Sequence, residues 1–194
     1  MKSFKSFLLT QEETFVFEAL DPNNYKERQT KTAELFLGRM QPVHLGHKAI
    51  IDKMKNPVVV LVKGAKSSQD KTKNPFDAKD QERFLKKIVK GVRVEIAPNG
   101  YIPDIINQLR KDGIEITTVY AGADRIKGYQ GQINSFNKQM PEEKQVKVKI
   151  KETPRVTSAT TVRNALKDDD IETFKKNMPK ELHSEYEYMK KKVK

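Results

Sequence analysis

Apolar residues recur in short continuous runs from residue 32 onward, and a longer amphipathic stretch follows each run. Such runs are typical of strands buried on both faces of a parallel sheet. The strand candidates are 33–38, 57–63, 92–97, 115–121 and 145–150. Helices are predicted at 44–55, 77–90, 101–112, 129–139, 158–167 and 169–192, the last interrupted near Pro179.

Strands that alternate with helices of this length predict βαβ units. We therefore expect an α/β fold: a Rossmann-like three-layer sandwich with a parallel sheet of about five strands, followed by C-terminal helices. Residues 1–31 lie outside the alternation and read as an N-terminal amphipathic segment and polar linker, with Thr10 to Glu13 fitting a capping box. Residues 32–194 form the predicted domain.

The composition excludes cysteine-dependent sites and argues against a membrane-spanning or secreted protein. The chain has no cysteine, which excludes disulfides, thiolate chemistry and cysteine-based zinc sites. No apolar run approaches the roughly 18 residues that span a bilayer. The N-terminus also lacks the continuous apolar core of a secretory signal, so we expect a cytoplasmic protein that does not associate with a membrane.

The net charge of +12 favours anionic partners, whether nucleotides, nucleic acid or acidic surfaces, although many of the lysines fit an ordinary solvated surface equally well. Arginine is more informative, because its rigid fork suits bidentate phosphate contacts. Four of the eight arginines fall beside the loops described below: Arg39, Arg125, Arg155 and Arg163.

Residues 38–47, GRMQPVHLGH, follow the first apolar run and hold two of the three histidines. His44 and His47 have helical i, i+3 spacing, so both can face one ligand beyond the carboxyl end of the strand. The alternative is a pair of ordinary histidines on a helix surface. Zinc is disfavoured because HEXXH and a third ligand are missing. Two common phosphate-binding motifs, the Walker loop and GxGxxG, are also missing, so a phosphate site here must be formed by a different loop.

Three later stretches add candidates. In TSATTVRNAL, 157–166, Ser158 and Thr160 either cap a helix or offer hydroxyls, together with Arg163, to a triphosphate. In AGADRIKG, 121–128, the alternatives are nucleotide contacts or a solvated loop with a local ion pair. The basic stretch GAKSSQDKTKNPF, 64–76, is either a substrate-ordering loop or an ordinary flexible one.

The three motifs GRMQPVHLGH, AGADR and TSATTVR together resemble the HxGH nucleotidylyltransferase superfamily, in the same order and over roughly residues 33–166. GRxQPxHxGH and the NPF segment are most similar to archaeal-type nicotinamide-mononucleotide adenylyltransferases. TSATTVR matches an ISSTxIR-like signature, with Thr157 and Ala159 in place of isoleucine and serine. Met40 stands where phenylalanine is usual.

The resemblance implies that an acceptor phosphate attacks the α-phosphorus of a nucleoside triphosphate and that pyrophosphate leaves with Mg²⁺. His44, His47 and Arg163 would then be catalytic. Nucleotide contacts would come from these residues: Gly38, Arg39, Gln41, Gly122, Asp124, Arg125, Ser158 and Thr160. No resident metal ligand is implied.

The expected partners are ATP and a small phosphorylated acceptor, with AMP transfer to nicotinamide mononucleotide favoured. The alternatives are CMP transfer to a phosphorylated alcohol, a nucleotide-binding module without turnover, and nucleic-acid binding prompted by the charge. VFEAL, 16–20, resembles processing sites of tailed-phage prohead proteins, which fits a phage-encoded enzyme in the host cytoplasm or the virion. The sequence leaves the oligomeric state open.

Overall fold

The computed structural model describes residues 31–63, 70–154 and 157–193. Its strands are β1 (Lys31–Gly38), β2 (Pro57–Val62), β3 (Arg93–Ala97), β4 (Ile114–Gly122) and β5 (Lys149–Thr153). They form one sheet in the order β3–β2–β1–β4–β5, and every neighbouring pair is parallel. The predicted five-stranded parallel sheet is confirmed.

In the described ranges, seven α-helices connect or follow the strands: α1 (Leu45–Ile51), α2 (Ala78–Ile88), α3 (Ile102–Lys111), α4 (Ala123–Asn137), α5 (Ala159–Lys167), α6 (Ile171–Asn177) and α7 (Tyr186–Val193). Short 3-10 helices cover Glu142–Lys144 and Lys180–Glu185. The predicted N-cap of α2 is confirmed, because the Asp77 carboxylate accepts a hydrogen bond from the Asp80 N–H over 2.9 Å.

The central strand buries both of its faces. Phe36 packs into a cluster with side chains of α1, α2 and the C-terminal helices. Its neighbours Leu35 and Leu37 point to the opposite face, where they pack with α3 and α4. Strand side chains alternate with a period of two, so an unbroken apolar run fills two cores at once. This is the predicted three-layer sandwich.

The C-terminal helices pack on the α1–α2 side of the sheet. The rings of Phe174 and Tyr186 meet edge to face, with centroids 5.0 Å apart, and the Tyr186 hydroxyl donates to Asp169 over 2.7 Å. Pro179 has no N–H to continue a helix, and α6 ends before it. The predicted interruption near this proline is therefore confirmed.

Three element ranges were predicted wrongly. The first helix ends at Ile51 rather than 55, because the N–H groups of Lys53 and Met54 bond three residues back in turns. The fifth strand is Lys149–Thr153 rather than 145–150, because the backbone of Val146 bonds to the Asn137 side chain instead of a neighbouring strand. The fourth helix begins at Ala123 rather than 129, so most of the AGADRIKG stretch is helical. The glycines of this stretch are typical of loops, which is why the sequence did not predict a helix there.

Within the described ranges, no helix is long and apolar enough to cross a membrane. The expectations for the N-terminal segment, including the capping box and VFEAL, fall on residues outside those ranges. The same holds for Arg155 and for residues 64–69 of the basic loop.

Candidate functional site

The site lies where the order of the strands reverses direction. From β1 the chain proceeds to β2 and β3 on one side, and then to β4 and β5 on the other. Phe36 pairs with Tyr120 in the neighbouring strand. Gly38 and Gly122 each follow two residues later, so they lie side by side at the carboxyl ends of β1 and β4. Ligands of open α/β sheets bind in the crevice at such a reversal.

His44 is the N-cap of α1 rather than its first helical residue. Its backbone is extended, and its Nδ1 accepts a hydrogen bond from the Gly46 N–H over 3.1 Å. A ring nitrogen that accepts a hydrogen bond carries no proton, so the cap assigns the proton to Nε2. His44 therefore has an Nε2–H donor in a fixed direction, although the residue as a whole is only 5% exposed.

His47 stacks on His44, with ring centroids 3.8 Å apart and planes 24° from parallel. The other side of the ring meets Phe36 at 5.8 Å. Burial, and to a lesser extent the neighbouring His44, hold the pKa of His47 well below its usual value. The Nδ1 of His47 is enclosed without a hydrogen-bond partner among the described residues. A neutral ring is therefore the resting form at neutral pH.

Gly46 allows the His44 ring to fold back onto the helix. A Cβ at position 46 would lie 3.0 Å from His44 Cε1 and 3.4 Å from the methyl group of Thr157. The first distance is tighter than ordinary van der Waals contact, so any larger residue would displace the ring. The methyl group of Thr157 therefore lies close to Gly46, so the histidine motif packs against the start of the TSATTVR motif.

Arg163 joins these two motifs a second time. It lies in α5, and its Nη1 donates to the Gln41 carbonyl oxygen over 2.6 Å. Its Nη2 donates to the Thr160 hydroxyl over 3.2 Å. The guanidinium group therefore projects from the C-terminal helices to the loop that follows β1.

Arg39 and Arg163 place two positive charges close together. Burial and the nearby Arg39 lower the pKa of Arg163, whereas Asp70 acts in the opposite direction. Arg39 is exposed and forms no ion pair with any residue in the described part of the chain. The carboxylate of Asp70 is engaged in its own turn, through Thr72 and Lys73. Two poorly neutralised guanidinium groups make this end of the sheet suited to an anion.

The two predicted hydroxyl residues lie in the cap and the first turn of α5 and have different partners. Ser158 is the N-cap and accepts the Thr161 N–H over 3.1 Å, which is the capping alternative. Thr160 accepts from Arg163. The preceding Thr157 donates to Asn177 of α6 over 2.6 Å, so α6 anchors this turn.

Gln41 has a structural contact that its sequence position did not indicate. The side chain is 3% exposed. Its Nε2 donates to the Phe76 carbonyl over 2.7 Å, and its Oε1 accepts the Phe76 N–H over 3.0 Å. The amide thus binds the NPF segment to the loop after β1, and only the main chain of Gln41 reaches Arg163.

Gly122, Asp124 and Arg125 occupy the N-terminus of α4, on the far side of the reversal. Gly122 is the N-cap and supplies no side chain for capping. Asp124 and Arg125 form an ion pair over 3.3 Å and are strongly exposed. This is the local ion pair considered as the alternative, and no described contact joins the two residues to the histidines or to Arg163.

Lys63 is a candidate that the sequence interpretation missed. It follows β2 directly, is half-buried, and donates from Nζ to the Phe76 carbonyl over 3.1 Å. Burial lowers the pKa of Lys63 to about 8, with Lys71 lowering it further and Asp77 and Asp80 opposing the shift. The available signal was a lysine directly after a buried strand, which does not stand out in a chain with 38 Lys and Arg residues.

The described residues contain no group of three or more His, Asp or Glu side chains placed to hold a metal ion. The site offers imidazole, guanidinium and hydroxyl groups, all of which can bind phosphate oxygens.

Comparison with known proteins identifies the family. Residues 35–174 match the family model described as cytidylyltransferase-like. This segment begins in β1, ends in α6 and contains the GRMQPVHLGH, AGADR and TSATTVR motifs. No curated protein sequence matches the chain.

The solved structures that share the fold include the following two. Thermotoga maritima TmcAL bound with alpha-thio ATP superposes with a TM-score of 0.53 at 13% identity, over 81% of this chain and 55% of its own. The chain thus spans little more than half of that protein. Plasmodium falciparum nicotinic acid mononucleotide adenylyltransferase complexed with APC gives 0.52 at 14% identity, over 80% of this chain and 94% of its own.

Proposed function

The chain belongs to the cytidylyltransferase-like family within the HxGH nucleotidyltransferase superfamily, and from this we propose that it transfers AMP from ATP to a phosphorylated acceptor. Nicotinamide mononucleotide is the favoured acceptor, which would give NAD and pyrophosphate. The observation that carries the proposal is the pair of stacked histidines beyond the carboxyl end of β1, in the motif whose Gln41 carbonyl oxygen accepts from Arg163 and whose Arg39 lies near that guanidinium group.

The proposed reaction needs no nucleophilic side chain. An oxygen of the acceptor phosphate forms a bond to the α-phosphorus of ATP, the bond between that phosphorus and the bridging oxygen breaks, and pyrophosphate leaves with the electron pair. Such a reaction is accelerated by positioning and by stabilisation of developing charge. Mg²⁺ arrives and leaves with the phosphates as part of the substrate and the product.

The histidines would stabilise charge on the α-phosphate. His44 would donate from Nε2, because its cap holds Nδ1 as an acceptor. His47 rests neutral beside it, so the pair can approach an anion without two positive rings repelling each other. Bound phosphate would raise the pKa of the His47 ring, and the hydrogen bonds of both rings would strengthen as charge develops.

Arg163, Ser158 and Thr160 would hold the β- and γ-phosphates and favour departure of pyrophosphate. Arg163 is already oriented by the Gln41 carbonyl and Thr160, so little side-chain freedom remains to be lost when the nucleotide binds. Arg39 and the glycine-ended strands would line the entrance. For Asp124 and Arg125 we propose contacts with the nucleotide or the acceptor at the start of α4.

The decisive experiment is a screen for pyrophosphate release with ATP and with CTP against a panel of phosphorylated acceptors, including nicotinamide mononucleotide and phosphorylated alcohols. Release with ATP and nicotinamide mononucleotide supports the proposal. Release only with CTP and an alcohol phosphate replaces it with cytidylyl transfer. Nucleotide binding with no release from any pair would indicate a binding module, whereas salt-sensitive binding of nucleic acid without release would favour that partner.

A further inference from the structure

Gln81 lies in the first half of α2 and is fully buried. Its Nε2 donates to the Met40 carbonyl oxygen over 3.0 Å and also to the Arg39 carbonyl oxygen. Both acceptors belong to the loop between β1 and His44. One side-chain amide from another element therefore holds two successive carbonyl groups of the loop that carries the histidine motif.

The loop adopts an unfavourable backbone conformation at the point that Gln81 holds. Met40 has a φ of 47°, in the left-handed region that non-glycine residues rarely occupy. Such a conformation persists where the surroundings over-determine it. Here the surroundings include Gly38, where a Cβ would come within 2.9 Å of the Met40 methyl group.

The carbonyl directions determine where the adjacent N–H groups point. The peptide bonds after Arg39 and Met40 are trans, because the cis bond in this loop is Gln41–Pro42. In a planar trans peptide the N–H points opposite to the C=O. The N–H groups of Met40 and Gln41 therefore point away from Gln81, and neither donates to another residue in the described ranges.

The turn of α2 that carries Gln81 is itself anchored. Its neighbour Asp80 accepts a hydrogen bond from the Tyr188 hydroxyl of α7 and lies 3.3 Å from Lys192 Nζ and 3.6 Å from Arg83. Gln81 is thus a fixed point against which the loop is held.

We propose that Gln81 is a positioning residue for the phosphate site: it orients the Arg39–Gln41 backbone so that Arg39 and the N–H groups of Met40 and Gln41 face the bound nucleotide. This inference rests on the proposed function of the same site. It assigns to α2 a role that none of the sequence motifs indicated.

Two variants test the role. Gln81→Met keeps the length and burial of the side chain but removes the donor, and we expect kcat/KM to fall by about a hundredfold, since a misplacement of roughly 1 Å can cost that much. Gln108→Met in α3, on the opposite side of the sheet, is the matched control and should keep wild-type kcat/KM. The thermal unfolding midpoint of each variant shows whether it is folded.

Gln81→Glu supplies a readout that a merely structural role would not give. The introduced carboxylate repels the two carbonyl oxygens, whereas its protonated form donates a hydrogen bond to them, and burial raises its pKa. Relative to the wild type, activity should therefore recover as the pH falls, with circular dichroism confirming a folded protein throughout. Gln81→Met should show no such recovery.

The inference would be overturned if Gln81→Met retained wild-type kcat/KM, or if Gln81→Glu and Gln81→Met had the same pH profile. If the wild type binds ATP without transfer, the proposed reaction fails, and calorimetric ATP affinity then replaces kcat/KM as the quantity compared. A crystal structure of Gln81→Met tests the inference without any activity: an unchanged left-handed Met40 with its carbonyl in place would refute it.

Discussion

Arg163 donates a hydrogen bond to the backbone oxygen of Gln41 over 2.6 Å and so joins two motifs that lie 122 residues apart in the chain. The same Gln41 carries the side chain that binds Phe76. The loop after β1, the NPF segment and the start of α5 therefore meet at one residue. A substitution in any of these three segments should therefore alter the geometry of the proposed nucleotide site.

Arg163→Lys keeps the charge but loses the planar fork that reaches both Gln41 and Thr160. We expect the affinity for ATP to fall about tenfold to a hundredfold, since a hydrogen bond from a charged group contributes about 1.5–3 kcal/mol. Titration calorimetry measures this. Arg93→Lys on the edge strand β3 is the control and should bind ATP like the wild type; equal affinities for all three proteins would contradict the assignment.

His47→Ala should lower kcat by roughly 10²- to 10³-fold, the cost of losing one preorganised donor to a developing anion. Thermal unfolding should show a folded protein. His183→Asn, in the 3-10 helix Lys180–Glu185, serves as the control and should retain its turnover. Wild-type turnover in His47→Ala would disprove the proposed mechanism.

Gly46→Ala should impair turnover more than stability. The new Cβ would lie 3.0 Å from His44 Cε1, so the ring must tilt. The His44 Nε2–H would then no longer point at the bound phosphate. We expect kcat to fall at least about tenfold, because small misplacements are costly. Gly131→Ala in α4 is the matched control: nothing lies within 4 Å of its Cβ, and alanine should stabilise that helix by about 1 kcal/mol without affecting kcat.

Lys63 follows β2 at the same carboxyl end of the sheet as Gly38, and we propose that it contacts the phosphate of the acceptor, which makes the acceptor affinity depend on pH. Burial lowers its pKa to about 8, so the charge is present at neutral pH and is lost above pH 8. We expect the KM for a phosphorylated acceptor to rise above pH 8, with bound phosphate shifting the midpoint upward. Lys63→Arg should flatten this rise because arginine stays charged, whereas Lys63→Met should show a high KM throughout. A wild-type KM in Lys63→Met would contradict the role.

His47 predicts how stability changes with pH. Its pKa in the folded protein is well below its usual value, which the unfolded chain retains. Below about pH 6.5 the unfolded state therefore binds one more proton than the folded state, and the free energy of unfolding decreases by up to about 1.4 kcal/mol per pH unit. Urea unfolding between pH 8 and 5 measures this. His47→Asn should have a shallower dependence, and an identical slope would show that His47 does not contribute.

The periodicity of the chain was sufficient to predict the parallel sheet, because β1 and β2 are apolar on both faces and only a covered sheet can bury both. The periodicity gave the wrong start for the fifth strand. Val146 is buried like a strand residue, but its backbone forms hydrogen bonds with the Asn137 side chain instead of a neighbouring strand. Gln41 shows a similar limit. Its place in the motif did not indicate that its side chain binds Phe76, a residue 35 positions away.

By itself, the sequence determined the alternation of elements, the order of the motifs and their placement at the ends of strands, since these depend on local pattern and on the geometry of parallel sheets. The tertiary structure decided which side chains meet. The stacked histidine rings, the lowered pKa values of His47 and Lys63, and the hold of Gln81 on the Arg39 and Met40 carbonyls all arise from burial and long-range contact. Burial and long-range contact depend on packing between segments far apart in the chain, and the local sequence pattern does not encode that packing.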